Sequence, residues 1–373
     1  MPPRPRRSRI ESLLPGDPLP WIESSIEPAA RFIFLTELKG MPDSDPCVRA
    51  VRKECLADPS IKSLADRLPE WENETPASGH HSPAYTPNLL GLLADLGLGP
   101  KDHPNIERSL DRMLVHQDES GRFQALGRFR AMPRAAWGAL FCDSHIILDI
   151  LVRFGRESDS RAAEGLSRMA ADISETANGP GWLCRPDPII KFRGPGRKDD
   201  FCPMVTLEAL RCFARLPERQ RPDGLLAAAR TCLRAWRMRD KEKPYMFGHG
   251  RQFKIMKWPP FWYGAYRVLD ALSRYPRLWQ GREAREEDRS ALAEMAACLI
   301  AYNFNAEGRV VPRSCCLGFE GFSFGQKKTA SPLATAMACI PLARLFDLAD
   351  EIASVDVAKL KSSKGGTGKP RLP

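Results

Sequence analysis

Four stretches of this 373-residue chain end in the same way. Each sets apolar side chains at i, i+3 and i+6 and follows them at once with Gly or Pro. They are Leu90, Leu93, Leu96 and Gly97; Leu148, Leu151, Phe154 and Gly155; Leu210, Phe213, Leu216 and Pro217; Leu269, Leu272, Tyr275 and Pro276. The breakers stand 58, 62 and 59 residues apart. Such spacing lines one face of an α-helix, and such a residue stops it. A fifth copy carries Leu342, Leu345 and Leu348 without the breaker. A period recurring this often points to an array of like units.

A second helix precedes each later copy and starts at a polar cluster: Asp102 to Asn105, Ser158 to Ser160, Pro222-Asp223, and Glu286 to Asp288. Acidic and small polar side chains there satisfy the unpaired N–H groups of a helix start and suit its dipole. Between the paired helices lie long loops, such as 121–132 and 179–198. No alternating strand pattern is evident. The expectation is an all-α chain of about five repeated helix pairs. Upstream, 21–38 reads as a helix interrupted at Pro28, 47–68 as an outer helix interrupted near Pro59, and 82–96 as the first inner helix. The chain divides into a basic flexible segment over 1–19, one helical-array domain over 20–350 and a flexible basic tail over 351–373.

The formal net charge of +10 invites a nucleic-acid reading. Its placement argues otherwise. Arg4, Arg6, Arg7 and Arg9 at one end, and Lys359, Lys361, Lys364, Lys369 and Arg371 at the other, carry nine of the ten charges. The body is nearly neutral, so no nucleic acid is expected as a partner. The basic ends suit contact with an anionic membrane surface. Eleven cysteines, an odd number spread thinly without a secretory signal, read as free thiols of a reducing, cytoplasmic compartment. Lys364 to Lys369 imitates a phosphate-binding loop, but Pro370 follows where Ser or Thr and a helix are needed.

One loop after an outer helix reads Gln117-Asp-Glu-Ser-Gly121-Arg-Phe123. This Q-x-x-x-G-x-F resembles the Gln-Trp motif of squalene cyclases and related terpenoid cyclases, with Phe for Trp. Asn178 to Trp182 and Asn305 to Val310 echo it. With its helix-pair period, the chain resembles the squalene cyclase and protein prenyltransferase repeat superfamily over about residues 20–350. The resemblance implies an α/α toroid, its inner-helix N-termini facing a central cavity, and an apolar small-molecule substrate such as an isoprenoid that is cyclised or prenyl-transferred.

The residues at those N-termini then matter most. Tyr85, behind His80 and His81, opens the first inner helix; Cys142, Asp143 and His145 the second; Asp199, Asp200 and Cys202 the third. Asp200-Phe-Cys202 matches the Asp-x-Cys of the zinc site of protein prenyltransferases. Cys142 and His145 are the nearest candidates to complete a set of Cys, His and carboxylate ligands, so zinc is the cofactor to test for. The same acids also suit general-acid work. Asp199 and Asp200 form a like-charge pair of the kind that raises a carboxyl pKa, and a second acid across the cavity would be Asp143 or Glu320. Trp258, Phe261, Trp262 and Tyr263 offer aromatic faces to a cation. Arg251, Lys254 and Lys257 would hold a diphosphate. His103 and His116 read as surface residues. Glycine-aromatic 318–325, beside Cys315 and Cys316, reads equally as a loop over the cavity mouth and as an ordinary loop. Against the isoprenoid enzyme stand a metal-dependent enzyme of other chemistry and a non-catalytic scaffold.

Overall fold

The computed structural model describes residues 10, 12–73, 82–128, 132–194, 197–242, 250–262 and 264–362, with 251 and 252 described by backbone alone. His80, His81, Tyr263, the side chain of Arg251 and most of both basic ends lie outside the described residues. The described chain is all-α, with short strands confined to loops. Among the described residues no single helix is long and apolar enough to cross a membrane.

In chain order the helices are α1 (Leu19–Glu23), α2 (Pro28–Ile33, continued by a wider turn over Phe34–Leu38), α3 (Pro46–Ala57), α4 (Pro59–Asp66), α5 (Thr86–Asp95), α6 (Pro104–Val115), α7 (Phe141–Arg153), α8 (Ser160–Ala171), α9 (Pro203–Arg215), α10 (Leu225–Arg237), α11 (Arg251–Lys254), α12 (Ala265–Leu272), α13 (Glu286–Asn303), α14 (Pro332–Arg344) and α15 (Ala349–Ser354). They fall into two sets. In α5, α7, α9, α12 and α14 nearly every position is buried, as expected of helices packed on several sides. In α3, α6, α8 and α10 one face is buried and the other solvated. Asp45, Asp58 and Asp159 cap α3, α4 and α8 by accepting from the first free N–H groups.

The breakers act as their chemistry dictates. Gly97 and Gly155 take the left-handed conformation just past α5 and α7. There Leu98 N–H donates to Leu93 O and Arg156 N–H to Leu151 O, closing both helix ends. Pro at the first turn of α5, α9 and α14 occupies a position that has no helical acceptor to lose.

The first set packs in sequence: α5 on α7, α7 on α9, α9 on α12, α12 on α14, and α14 back on α2. Phe32 of α2 lies over Gly97, the close approach that α5's end permits. The expected ladder Leu342, Leu345 and Leu348 does not share one helix, because α14 stops at Arg344 and 346–348 is a separate 3-10 turn. All three are nonetheless fully buried, as is Cys339 one step earlier.

Strands escaped the sequence reading because they are too short to alternate. β1 (Ala125–Gly127) pairs antiparallel with β2 (Ala136–Gly138), and β3 (Ser174–Thr176) with β4 (Gly179–Gly181). β5 (Lys257–Trp258) pairs parallel with β6 (Ser314–Cys315).

Candidate functional site

The Q-x-x-x-G-x-F loop is a clamp. Gln117 Nε2 donates to Gly121 O at 2.8 Å and to Arg161 O, in the first turn of α8, at 2.9 Å. Phe123 is fully buried, and its N–H donates to Ser144 Oγ of α7 at 3.1 Å. The two echoes do the same: Trp182 N–H donates to Thr206 Oγ1 of α9 at 3.2 Å, and Val310 N–H to Thr335 Oγ1 of α14 at 2.9 Å. Ser144, Thr206 and Thr335 are each the fourth residue of their helix, so the clamp sets a common register for the inner set.

In that register one stripe faces inward. Two, five and nine residues past the clamp hydroxyl stand Ile146, Asp149 and Arg153 on α7, Glu208, Arg211 and Arg215 on α9, and Met337, Ile340 and Arg344 on α14. By distance from the breaker, α5 contributes Asn88, Gly91 and Asp95, and α12 contributes Arg267, Asp270 and Arg274. Nearly all of them line a cavity of about 110 Å³, together with Phe32, Ile33 and Glu37 of the α2 segment. That volume holds a few waters or one small anion. The cavity runs from the first turns of α5 and α12, at Asn88 and Arg267, to the last turns of α7, α9 and α14, at Arg153, Arg215 and Arg344.

Its wall is ionic. Arg211 Nη1 donates to Glu208 at 3.0 Å and its Nε to Asp270 at 3.2 Å, with Asp149 at 3.7 Å. Arg215 pairs with Asp149 at 2.7 Å, Arg267 with Glu208 at 2.7 Å, and Arg153 with Asp95. Asp270 also accepts from Arg274 and from Arg344, both at 2.9 Å, and Arg344 reaches Glu37 at 3.2 Å. Six arginines thus face five acids across six helix segments. Burial works against ionised Asp149 and Asp270, yet the arginines around them hold both carboxyls below the usual range. Burial, with the nearby Arg344, Arg215 and Arg211, pulls Arg274 down against Asp270. Basic side chains at these C-terminal ends also offset the helix dipoles.

Among the described residues, Phe261 is the one sequence-predicted residue that lines the cavity. Trp258 stacks on Phe324 at 6.0 Å, and Phe261 meets Phe319 edge-on at 5.8 Å. Phe319, Phe322 and Phe324 are themselves buried, so this loop packs into the core. Trp262 is half-buried against the same core. Lys254 lies over the Tyr302 ring, and Lys257 is exposed on β5; neither lines the cavity.

The acids do not act as a pair. Asp199 is exposed, while Asp200 is buried and held by Arg197 at 3.1 Å. At the N-terminal ends, Tyr85 donates its hydroxyl hydrogen to Asp143 at 2.8 Å. Cys142 and Cys202 lie in the same region, within electrostatic reach of each other and of Cys184. His145 is not with them. Its Nδ1 faces Val205 O at 3.0 Å and its ring packs between Phe141 and Trp182. The zinc set of Asp200, Cys202, Cys142 and His145 is therefore not gathered. Among the described residues no group of three or more His, Cys, Asp or Glu side chains is placed to hold a metal.

The ionic stripe was missed because the apolar ladder runs beside it on the same helices. Counting charges at fixed distances before each breaker would have exposed it: Asp95, Arg153, Arg215 and Arg274 all stand two residues ahead. No family model matches the chain, and neither a characterised protein nor a solved structure does.

Proposed function

We propose that the chain is an α/α toroid, of the kind found in squalene cyclase and prenyltransferase repeat proteins, whose central chamber receives the anionic head of a small amphiphilic ligand. The observation that carries the reading is the arginine-lined cavity between α5, α7, α9, α12 and α14. A ring of helices is filled at less cost by apolar side chains, because each buried ion must be stripped of water. Charges retained in a cleft under that penalty mark a working site. Six arginines against five acids suit a phosphate or diphosphate, which arginine binds through paired N–H donors. Phe32, Ile33, Ile146, Ile150, Met337 and Ile340 are the apolar part of the same wall, and at about 110 Å³ the chamber takes the anionic head alone. This keeps the isoprenoid class but assigns its anionic end to a different set of residues.

Calorimetric titration with inorganic diphosphate tests it. Binding is expected to weaken with salt and to fall at least tenfold in Arg274→Gln. Absence of binding at millimolar diphosphate in the folded native chain would overturn it. The second reading is a purely structural ionic core, favoured by the fact that each chamber arginine has an acid partner. It expects Arg274→Gln to lower stability with no anion effect in either form.

A further inference from the structure

Among the described residues, every polar side chain on the chamber wall but one is engaged by the protein. The arginines and acids pair with one another, Thr36 donates to Phe32 O at 2.9 Å, and Asn88 donates to Ser82 O at 3.0 Å. The exception is Tyr266, in the first turn of α12. Its ring lies 6.5 Å from that of Trp258, and the residue is only 8% exposed. Among the described residues its hydroxyl has no hydrogen-bond partner. Beside it, Arg267 spends Nη2 on Glu208 at 2.7 Å, while its Nε is buried without an acceptor. Buried donors are ordinarily satisfied, so this stretch of wall is short of acceptors. Only water or a ligand inside the chamber can serve the Tyr266 hydroxyl. Side chains toward the other end of the chamber, Glu37 and Asp95, are the more exposed, whereas Asn88, Ile146 and Met337 are buried. A ligand entering from the exposed side meets Arg344 and Arg274 before it reaches Tyr266.

We infer, resting on the reading of the chamber as a phosphate-class site, that Tyr266 is its specificity-determining residue, the hydroxyl donating to a phosphate oxygen that the arginines leave free. Burial and the carboxylates of Asp270 and Asp95 push the phenol far above its usual range, so it stays a neutral donor. Such a group adds a hydrogen bond without altering the balance of six arginines and five acids. It also discriminates. One guanidinium fork matches both oxygens of a carboxylate, whereas a phosphate or diphosphate has oxygens to spare beyond that fork. Tyr266 therefore favours a phosphate-class head over a carboxylate. Because its hydroxyl bonds to nothing in the protein, removing it takes nothing from the fold.

Calorimetric titration of inorganic diphosphate into the native full chain and into Tyr266→Phe, with thermal unfolding of both in its absence, tests the inference. Tyr266→Phe is expected to unfold no earlier than the native chain and to bind diphosphate about tenfold more weakly. Malonate, a dicarboxylate that the arginines can hold by themselves, should bind both forms alike and more weakly than diphosphate binds the native chain. Equal diphosphate affinity in the two forms would overturn the role of Tyr266 and leave the chamber reading intact. A native chain that binds no diphosphate sinks that reading, and the role of Tyr266 with it. Malonate affinity falling as far as diphosphate affinity would remove the discrimination, and earlier unfolding of Tyr266→Phe would show that the hydroxyl serves the fold instead.

Discussion

Asp270 takes hydrogen bonds from Arg211, Arg274 and Arg344 while almost fully buried. Neutralising it takes from Arg274 its paired carboxylate and leaves Arg211 to Glu208 and Asp149, and Arg344 to Glu37 alone. Asp270→Asn is expected to cost about 3–5 kcal/mol in urea unfolding, whereas Asp66→Asn, at an exposed pair with His103, stays within about 1 kcal/mol. His145 gives a pH signature of a different kind. Burial pulls its imidazolium down to about 4. The unfolded chain takes up that proton near ~6.5, so the stability His145 contributes is complete above ~6.5 and is lost as pH falls toward 4. The loss amounts to up to roughly 3 kcal/mol. Unfolding free energies between pH 7.5 and 4.5 should show that slope in the native chain and a flatter one in His145→Gln.

Between residue and molecule lies the clamp, which fastens a loop to the helix behind it. Gly121 sits at φ +83°, and a Cβ there would lie 2.9 Å from Glu164 Cγ. Gly121→Ala is expected to cost about 1–2 kcal/mol, mainly through left-handed backbone strain. Thr206→Val keeps shape but removes the acceptor for the buried N–H of Trp182. It should cost about 1–3 kcal/mol, and Thr206→Ser should recover most of that, as thermal unfolding would show. The clamp was half legible. Q-x-x-x-G-x-F announced itself, but its hydroxyl acceptors lie 21 to 25 residues downstream, in a loop-length range that varies among copies. Only folding aligned Ser144, Thr206 and Thr335.

For the molecule as a whole, α14 is the closing element. It packs on α12 and on α2, and Arg344 ties Asp270 of one to Glu37 of the other. Far-separated contacts reinforce that seam: Ser323 N–H donates to Glu27, and Ser60 to Gly321 O. A chain ended at residue 330 leaves two apolar helix faces and the Asp270 site open to water. Calorimetry is expected to find no sharp cooperative unfolding in it; a transition as sharp as that of the full chain would refute the closing role.

What the linear chain determined by itself was local: helix stops at Gly97, Gly155, Pro217 and Pro276, the helix start around Asp159, and the leucine face that seeks a core. These follow from steric and hydrogen-bonding rules spanning three or four residues. What faces the middle of the molecule was decided in three dimensions. A stripe such as Asp149 and Arg153 reads as a solvated face in one helix. It becomes a buried ion lattice only when Arg211, Arg215 and Asp95 arrive from neighbours some 60 residues away. The periodicity of one helix names its faces, but the charges that compensate a buried face sit on other helices, and only tertiary packing brings them there.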